Sequence, residues 1–429
     1  MHNSRLAITD PRVVLSQMAF VIIGINLVAG MDSIPSVGWM FMHHPDDFRD
    51  YSWAAIFDFL WSLRTGIPPF LAGLEIVLVK LTGSAEWVTV YGYQMALISV
   101  YLLAMLLARV SPWRYWISVL VSGVFFYTTV LVHPGLPVSY DLFFPLFFLL
   151  FVTFLRWATT EMEGRWAIFA AVLSGFFLAM TELSRPFVIY WMPVMLVLAW
   201  RMLGRSRKLW LGFLAPIVMI SGLWHAHLYL DFRQLTFTNH TGANLARGWP
   251  QVVHDTPIDE TQGVAVRPGR WFDRNTEVHT QNSQMLERAV FKYWRDNPWA
   301  SVRHLAYRLR ELLSAKTQLY SHDPQSWVFW FYGPMVWLMV GISLAGAGIW
   351  AREACGRGEG IDWKVEGGDI IVTGFTFYCL LVLAIGEAGE EARLLISVLP
   401  ILAVCPLPSE VLLRGLKESA ALNRHREIV

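Results

Sequence analysis

Between residues 41 and 70 the chain reads FMHHPDDFRDYSWAAIFDFLWSLRTGIPPF, placing Asp46, Asp47, Asp50 and Asp58 with Arg49 and Arg64 directly after an apolar segment. Carboxylates in such a run can take a proton from a hydroxyl, and guanidinium groups beside them can hold an anion through a planar two-pronged fork. Two further arginines, Arg185 in ELSRPF and Arg393 in EAGEEAR, stand in short polar breaks between apolar stretches, with Glu390 beside the second. Together they could bind a phosphate. A lone acid in a loop is ordinarily solvated surface, and a lone arginine there is ordinarily an interface anchor. The clustering of both types is what suggests chemistry. His43 and His44 precede the acids, but their spacing matches no recognised metal site, and no metal or other cofactor is expected.

The elements that must position these residues are membrane helices. Over 429 residues, 55% are hydrophobic and 14% aromatic, and only 16% are charged, against roughly 25% in soluble domains. The mean hydropathy is +0.43. The net charge of +1 says little, because charge in such a chain matters by location, and no nucleic-acid partner is expected. Cys355, Cys379 and Cys405 all fall in the last quarter, so no disulfide framework is implied. A span needs about 20 mostly apolar residues. Ten such stretches occur, near 13–31, 88–108, 115–133, 139–156, 166–182, 187–203, 209–229, 328–350, 369–387 and 394–413. The first lacks a small-residue cleavage site and reads as a retained helix. The stretch 67–82 is interrupted by Glu75 and Lys80 and reads as interfacial.

With both termini cytoplasmic, the basic residues crowd the inside segments, and the short outside loops hold only Arg185 and Arg393. A first outer loop (32–87), a polar insert (230–327) and the loop 387–393 then share the outer face. Organisation follows: a transmembrane module over 1–229, the insert over 230–327, and C-terminal helices with a cytoplasmic tail over 328–429. Within the first loop, Trp53, Ile56, Phe57, Leu60 and Trp61 recur at helical spacing, Gly66 breaks that helix, and Pro68-Pro69 opens the next. In the insert, 231–280 reads as irregular. A helix follows, broken at Asn297-Pro298, after which Trp299, Val302, Leu305, Leu309, Leu312 and Leu313 line one face and Arg303, Arg308 and Arg310 the other. That helix is expected to rest on the membrane surface or the first loop. The segment TNHTGANLARGW, with His240, is a candidate cover for the site; Asn239-His240-Thr241 also spells a glycosylation sequon.

Pro45, Asp46, Arg49 and Tyr51, followed by Arg64, Thr65, Pro69 and Phe70, resemble the first outer loop of the GT-C glycosyltransferases. The branch is that of polyprenyl-phosphate-sugar enzymes similar to aminoarabinose transferases and protein O-mannosyltransferases. The family's R-T-P-G-Y-P turn stands here as R-T-G-I-P-P. Asp141 at the outer start of the fourth span, Arg185-Pro186 after the fifth, and Gly389, Glu390 and Arg393 before Pro400 and Pro406 extend the likeness. It covers the transmembrane half; the insert has no counterpart.

The resemblance implies an all-α integral-membrane bundle of GT-C type, with about ten transmembrane helices, interfacial helices in the first outer loop and a small outer insert. It implies inverting transfer of a sugar from a polyprenyl-phosphate donor to a glycan, lipid or protein hydroxyl in a bacterial inner membrane. Asp46 or Asp47 would be the base. Arg49, Arg64, Arg185, Glu390 and Arg393 would hold the donor phosphate and sugar, and Asp141, Tyr51 and His240 would support the acceptor. The competing classes are an O-antigen ligase or polymerase, a transporter or flippase of lipid-linked sugars, and a non-catalytic scaffold. A transporter would favour ionisable residues within spans and internal repeats. The sequence shows few of the former and no convincing repeat.

Overall fold

The computed structural model describes residues 49–62, 73, 76–77, 79–81, 83, 139–234, 241–253, 277–314, 327–356, 361–386, 398 and 401–402. Among these residues every regular element is a helix. Four helices have the length and hydropathy to cross a membrane: Phe143–Thr160, Gly164–Ser184, Arg207–Phe232 and Glu366–Gly386. The expected spans near 13–31, 88–108 and 115–133, and all but three residues of 394–413, lie outside the described residues.

The core begins with α2 (Ser139–Arg156), whose sequence SYDLFFPLFFLLFVTFLR is apolar on nearly every side. It packs antiparallel to α3 (Gly164–Ser184), which in turn crosses α5 (Arg207–Ile217). Phe144, Phe148, Phe151, Phe213 and Phe375 are fully buried where these helices meet α12 (Trp363–Gly386). The Phe148 and Phe375 rings stack at 4.2 Å, an offset aromatic contact that adds to area burial. The helix formed by α5, a π turn at Val218–Gly222 and α6 (Leu223–Phe232) keeps Leu211, Met219 and Leu230 exposed. An apolar helix with so much apolar surface outward is suited to lipid.

The α3–α5 crossing depends on one glycine. A Cβ at Gly175 would stand 1.9 Å from the Phe213 carbonyl oxygen. Gly175→Ala is therefore expected to force these helices apart and destabilise the protein by about 1–3 kcal/mol or more. A lowered thermal unfolding midpoint of the purified protein would show it.

Two sequence expectations need correction. The stretch 187–203 is not one continuous α-helix: Pro186–Tyr190 forms a 3-10 turn, and α4 (Met192–Leu203) supplies only 12 residues. That is about 18 Å of α-helix, and Pro186 and Pro193 account for the interruption. The stretch 231–280 is not irregular throughout: α7 (Thr241–Gly248) and α8 (Pro250–Val253) lie within it. Packing makes these helices. Leu245, Trp249 and Val252 bury against Val290 of α9 (Glu277–Asp296), and Gly242 meets the backbone of Ser283 too closely for any side chain.

The break at Asn297-Pro298 is observed, between α9 and α10 (Pro298–Ser314). The faces of α10 differ from the sequence reading. Leu312 and Leu313 are buried, but so is Arg308, while Trp299 and Val302 point outward with Arg303 and Arg310. Among the described elements, α11 (Trp327–Gly356) and then α12 follow α10.

Helix directions define two ends of the bundle. Arg156, at the end of α2, pairs with Asp369, near the start of α12, at 3.3 Å. The opposite end gathers the start of α2, the end of α3, the end of α12 and the helices of the insert.

Candidate functional site

At that second end Pro186 sets the backbone. A residue before proline is driven out of the helical region, and Arg185 accordingly takes φ −145° and ψ 116°, ending α3. The 3-10 turn that follows is tied to α12, because the Tyr378 hydroxyl donates to the Phe187 carbonyl and the Trp191 and Tyr378 rings stack at 4.7 Å. Arg185 is thus held at a fixed corner of the bundle.

A cavity of about 390 Å³ opens there. The turn contributes Arg185, Pro186, Phe187 and Tyr190; α7 contributes Thr241, Asn244 and Leu245; α9 contributes Glu287, Phe291 and Trp294; and α12 contributes Val382, Leu383, Ile385 and Gly386. Its wall is mostly apolar, with a few convergent polar groups, which is the usual character of a small-molecule site. The insert is latched over it. The Trp249 indole donates to the Ile385 carbonyl at 3.1 Å, and His304 Nε2 meets the Gly248 carbonyl oxygen at 2.7 Å.

Glu287 escaped the sequence reading, since on an amphipathic helix it looks like any solvent-facing acid. Burial pushes its carboxyl up from its ordinary 4.5, and Arg288 pulls it partly back. The folded state therefore favours the protonated form. Its stability contribution is full below pH 4.5 and is lost as pH rises through the raised folded value. Glu287→Gln is expected to raise the thermal midpoint at neutral pH and to leave it unchanged well below pH 4.5; scanning fluorimetry across pH reads this.

In the stretch read as the first outer loop, two antiparallel helical segments stand beside this end. Ser52 caps α1 (Trp53–Trp61), accepting from Ala55 N at 3.1 Å. The described helical residues that follow, Gly73, Ile76, Val77, Val79, Lys80 and Leu81, run antiparallel to it: Gly73 lies against Leu60, and Lys80 Nζ donates to the Arg49 carbonyl at 3.1 Å and the Tyr51 carbonyl at 2.6 Å. Lys80 also sits 5.5 Å from the Trp53 ring centroid. Arg49 is solvent-facing and pairs loosely with Asp50 at 3.7 Å, and Tyr51 is exposed. Ile56 is buried, whereas Trp53 and Phe57 face out, so the apolar stripe is divided between bundle and surroundings. Helix α1 is fixed to α6, where the Trp61 ring stacks on His227 at 3.8 Å and the Trp61 carbonyl meets His227 Nε2 at 2.7 Å.

Of the sequence candidates, Arg185 lines the cavity. Asp141 lies in the first turn of α2 at the same end, one turn before Phe144, whose ring meets Phe187 edge-on at 5.7 Å. Arg49 and Tyr51 stand just before α1. Asp46, Asp47, Arg64, His240, Glu390 and Arg393 lie outside the described residues; in sequence the last two follow the cavity residue Gly386 by four and seven positions.

A second polar cluster was not foreseen. Glu182 is completely buried inside α3. Ser221 Oγ donates to its Oε2 at 2.8 Å, and His225 Nε2 lies 2.8 Å from its Oε1. The expectation of few ionisable groups within the spans is corrected by this cluster, which sequence spacing hides because its members come from two helices.

The fold and cavity define an all-α protein with several membrane-crossing helices and a largely apolar site at one end. Comparison with protein-family models, with curated proteins and with solved structures finds no match for the chain.

Proposed function

We propose that the chain is a membrane glycosyltransferase that moves a sugar from a polyprenyl-phosphate donor to a hydroxyl on an extracytoplasmic glycan, lipid or protein. The observation that carries this reading is the cavity beneath the insert. A mostly apolar chamber with one arginine at its corner matches a ligand with a hydrocarbon chain and an anionic head. Phe187, Phe291 and Leu383 suit the first isoprene units, Arg185 the phosphate, and Asn244, Thr241 and Glu287 the sugar hydroxyls.

In this reading about ten helices span a bacterial inner membrane, both termini are cytoplasmic, and the cavity faces outward. Asp46 or Asp47 takes the acceptor proton as the acceptor oxygen attacks the anomeric carbon. The bond to the phosphate oxygen breaks with inversion, and arginines stabilise the departing phosphate. Arg393, Glu390, Arg64 and Arg49 complete the donor site, with Asp141, Tyr51 and His240 on the acceptor side. No metal takes part.

The second reading, a transporter or flippase of lipid-linked sugars, is favoured by Glu182 and His225, since intramembrane ionisable groups mark such pathways. One experiment separates the two. Purified protein in vesicles is given a radiolabelled polyprenyl-phosphate sugar and a candidate acceptor. Transfer yields labelled product and free polyprenyl phosphate in equal amounts. Intact donor appearing in the other leaflet without product would overturn the transferase reading in favour of transport.

A further inference from the structure

We propose that Glu182, His225 and Ser221 form a site for one exchangeable proton inside the helix bundle, and that its occupancy is read by the outer helix α1 through α6. This inference does not depend on the transferase reading. It rests on a geometry that has room for a proton and not for an unshielded charge.

At 2.8 Å, Oε1 of Glu182 and Nε2 of His225 must have a proton between them, because two bare acceptors would repel. Two states satisfy that contact. In one, the carboxylate accepts from a neutral imidazole, and the pair carries one negative charge. In the other, one proton has been added from water, and the pair is neutral overall. Ser221 donates to Oε2 in both. The site can therefore gain or lose a single proton with little movement of heavy atoms. Glu182 is fully buried in a helix of membrane-crossing length, and ionisable groups in such a place mark proton and ion pathways.

The local backbone is arranged for this contact. Ser221 and His225 are four residues apart and so share a helix face. The π turn Val218–Gly222 lies where that face meets α3. Such single turns occur often at functional sites.

The output runs along α6. His227, two residues beyond His225, is itself buried, holds Trp61 by ring and carbonyl, and has Nδ1 2.7 Å from Asp231 Oδ2. One short helix is thus fastened to Glu182 on one side and to α1 on another. A change of charge at Glu182 alters how firmly α6 is held there, and α1 shares the constraint. Other charged groups near this path are Arg185 one turn along α3, His227 and Asp231 on α6, Asp58 on α1, and Asp141 in the first turn of α2. The neighbouring α2 side chains Phe143, Leu146 and Phe147 are apolar.

Difference infrared spectroscopy of the full-length protein in nanodiscs, titrated with pH, tests the site through the carboxylic-acid C=O stretch. The expected result is a titrating band that Glu182→Gln abolishes and that His225→Gln moves by about one pH unit or more. Amide hydrogen exchange across 53–61 should change over the same pH interval in the native protein and become flat in Glu182→Gln. Ser221→Ala keeps both titrating groups. Should Glu182→Gln fail to fold, a moved band in Ser221→Ala supports the assignment, and an unmoved one overturns it. A band that survives in folded Glu182→Gln overturns the proton site. Exchange at 53–61 that follows pH equally in the native protein and Glu182→Gln overturns the coupling.

Discussion

Arg185→Ala is expected to weaken binding of a polyprenyl phosphate to the purified protein by roughly 10- to 100-fold. The range follows from the ~1.5–3 kcal/mol that a hydrogen bond to a charged group contributes, with about 1.4 kcal/mol per tenfold in affinity. Arg185→Lys keeps the charge but loses the planar fork, so it should recover only part of the loss. Binding of a radiolabelled polyprenyl phosphate gives a direct reading of occupancy. Equal affinity in the native protein and Arg185→Ala would place the phosphate elsewhere and remove the main support for the donor site. The substitution should leave the fold intact, because the corner is set by Pro186 and by the Tyr378–Phe187 contact.

The helix end at Arg185 was legible because two local signals coincide there: an arginine in a short polar break between apolar stretches, and a proline directly after it. The apolar helices were legible for a similar reason. Long uninterrupted runs leave little choice of structure, and the stretch read as 139–156 forms a helix over Ser139–Arg156. The break at Asn297-Pro298 is also written locally, because proline has no N–H and its ring blocks the preceding turn.

The features missed are those fixed by distant partners. Glu182 and His225 are 43 residues apart, and nothing near either one announces the other. TGANLARG has the Gly and Asn content of a loop, yet it is helical because Leu245 and the following Trp249 are buried against α9 and Gly242 allows close approach. Arg308 was placed on the solvent face by periodicity alone, but the bundle closes over that side of α10. Periodicity tells which residues share a face, not which face the neighbours cover.

Asp46→Asn is expected to lower sugar transfer by about 10²- to 10⁴-fold, the span usual for removing a general base. The acceptor hydroxyl cannot become a good nucleophile unless its proton leaves as the phosphate departs, and asparagine matches the carboxylate in size without its basicity. The substitution should spare donor binding, since the phosphate is assigned to arginines; Arg185→Ala should impair binding and rate together. Asp47→Asn is the necessary companion, because both acids follow Pro45 and either can serve the acceptor. The base is the one whose loss collapses the rate while the amount of bound radiolabelled donor is unchanged. The Lys80 contact gives this assignment a mechanical basis. Lys80 clamps the carbonyls of Arg49 and Tyr51, so the chain that leaves Asp46 and Asp47 enters a fixed support at Arg49, three and two residues later. Lys80→Ala should therefore slow transfer while leaving its pH dependence unchanged, whereas loss of the true base removes the limb of the pH–rate profile that rises with carboxylate ionisation. If Asp46→Asn and Asp47→Asn both retain near-native transfer, the acid run is a structural loop and the proton has another acceptor.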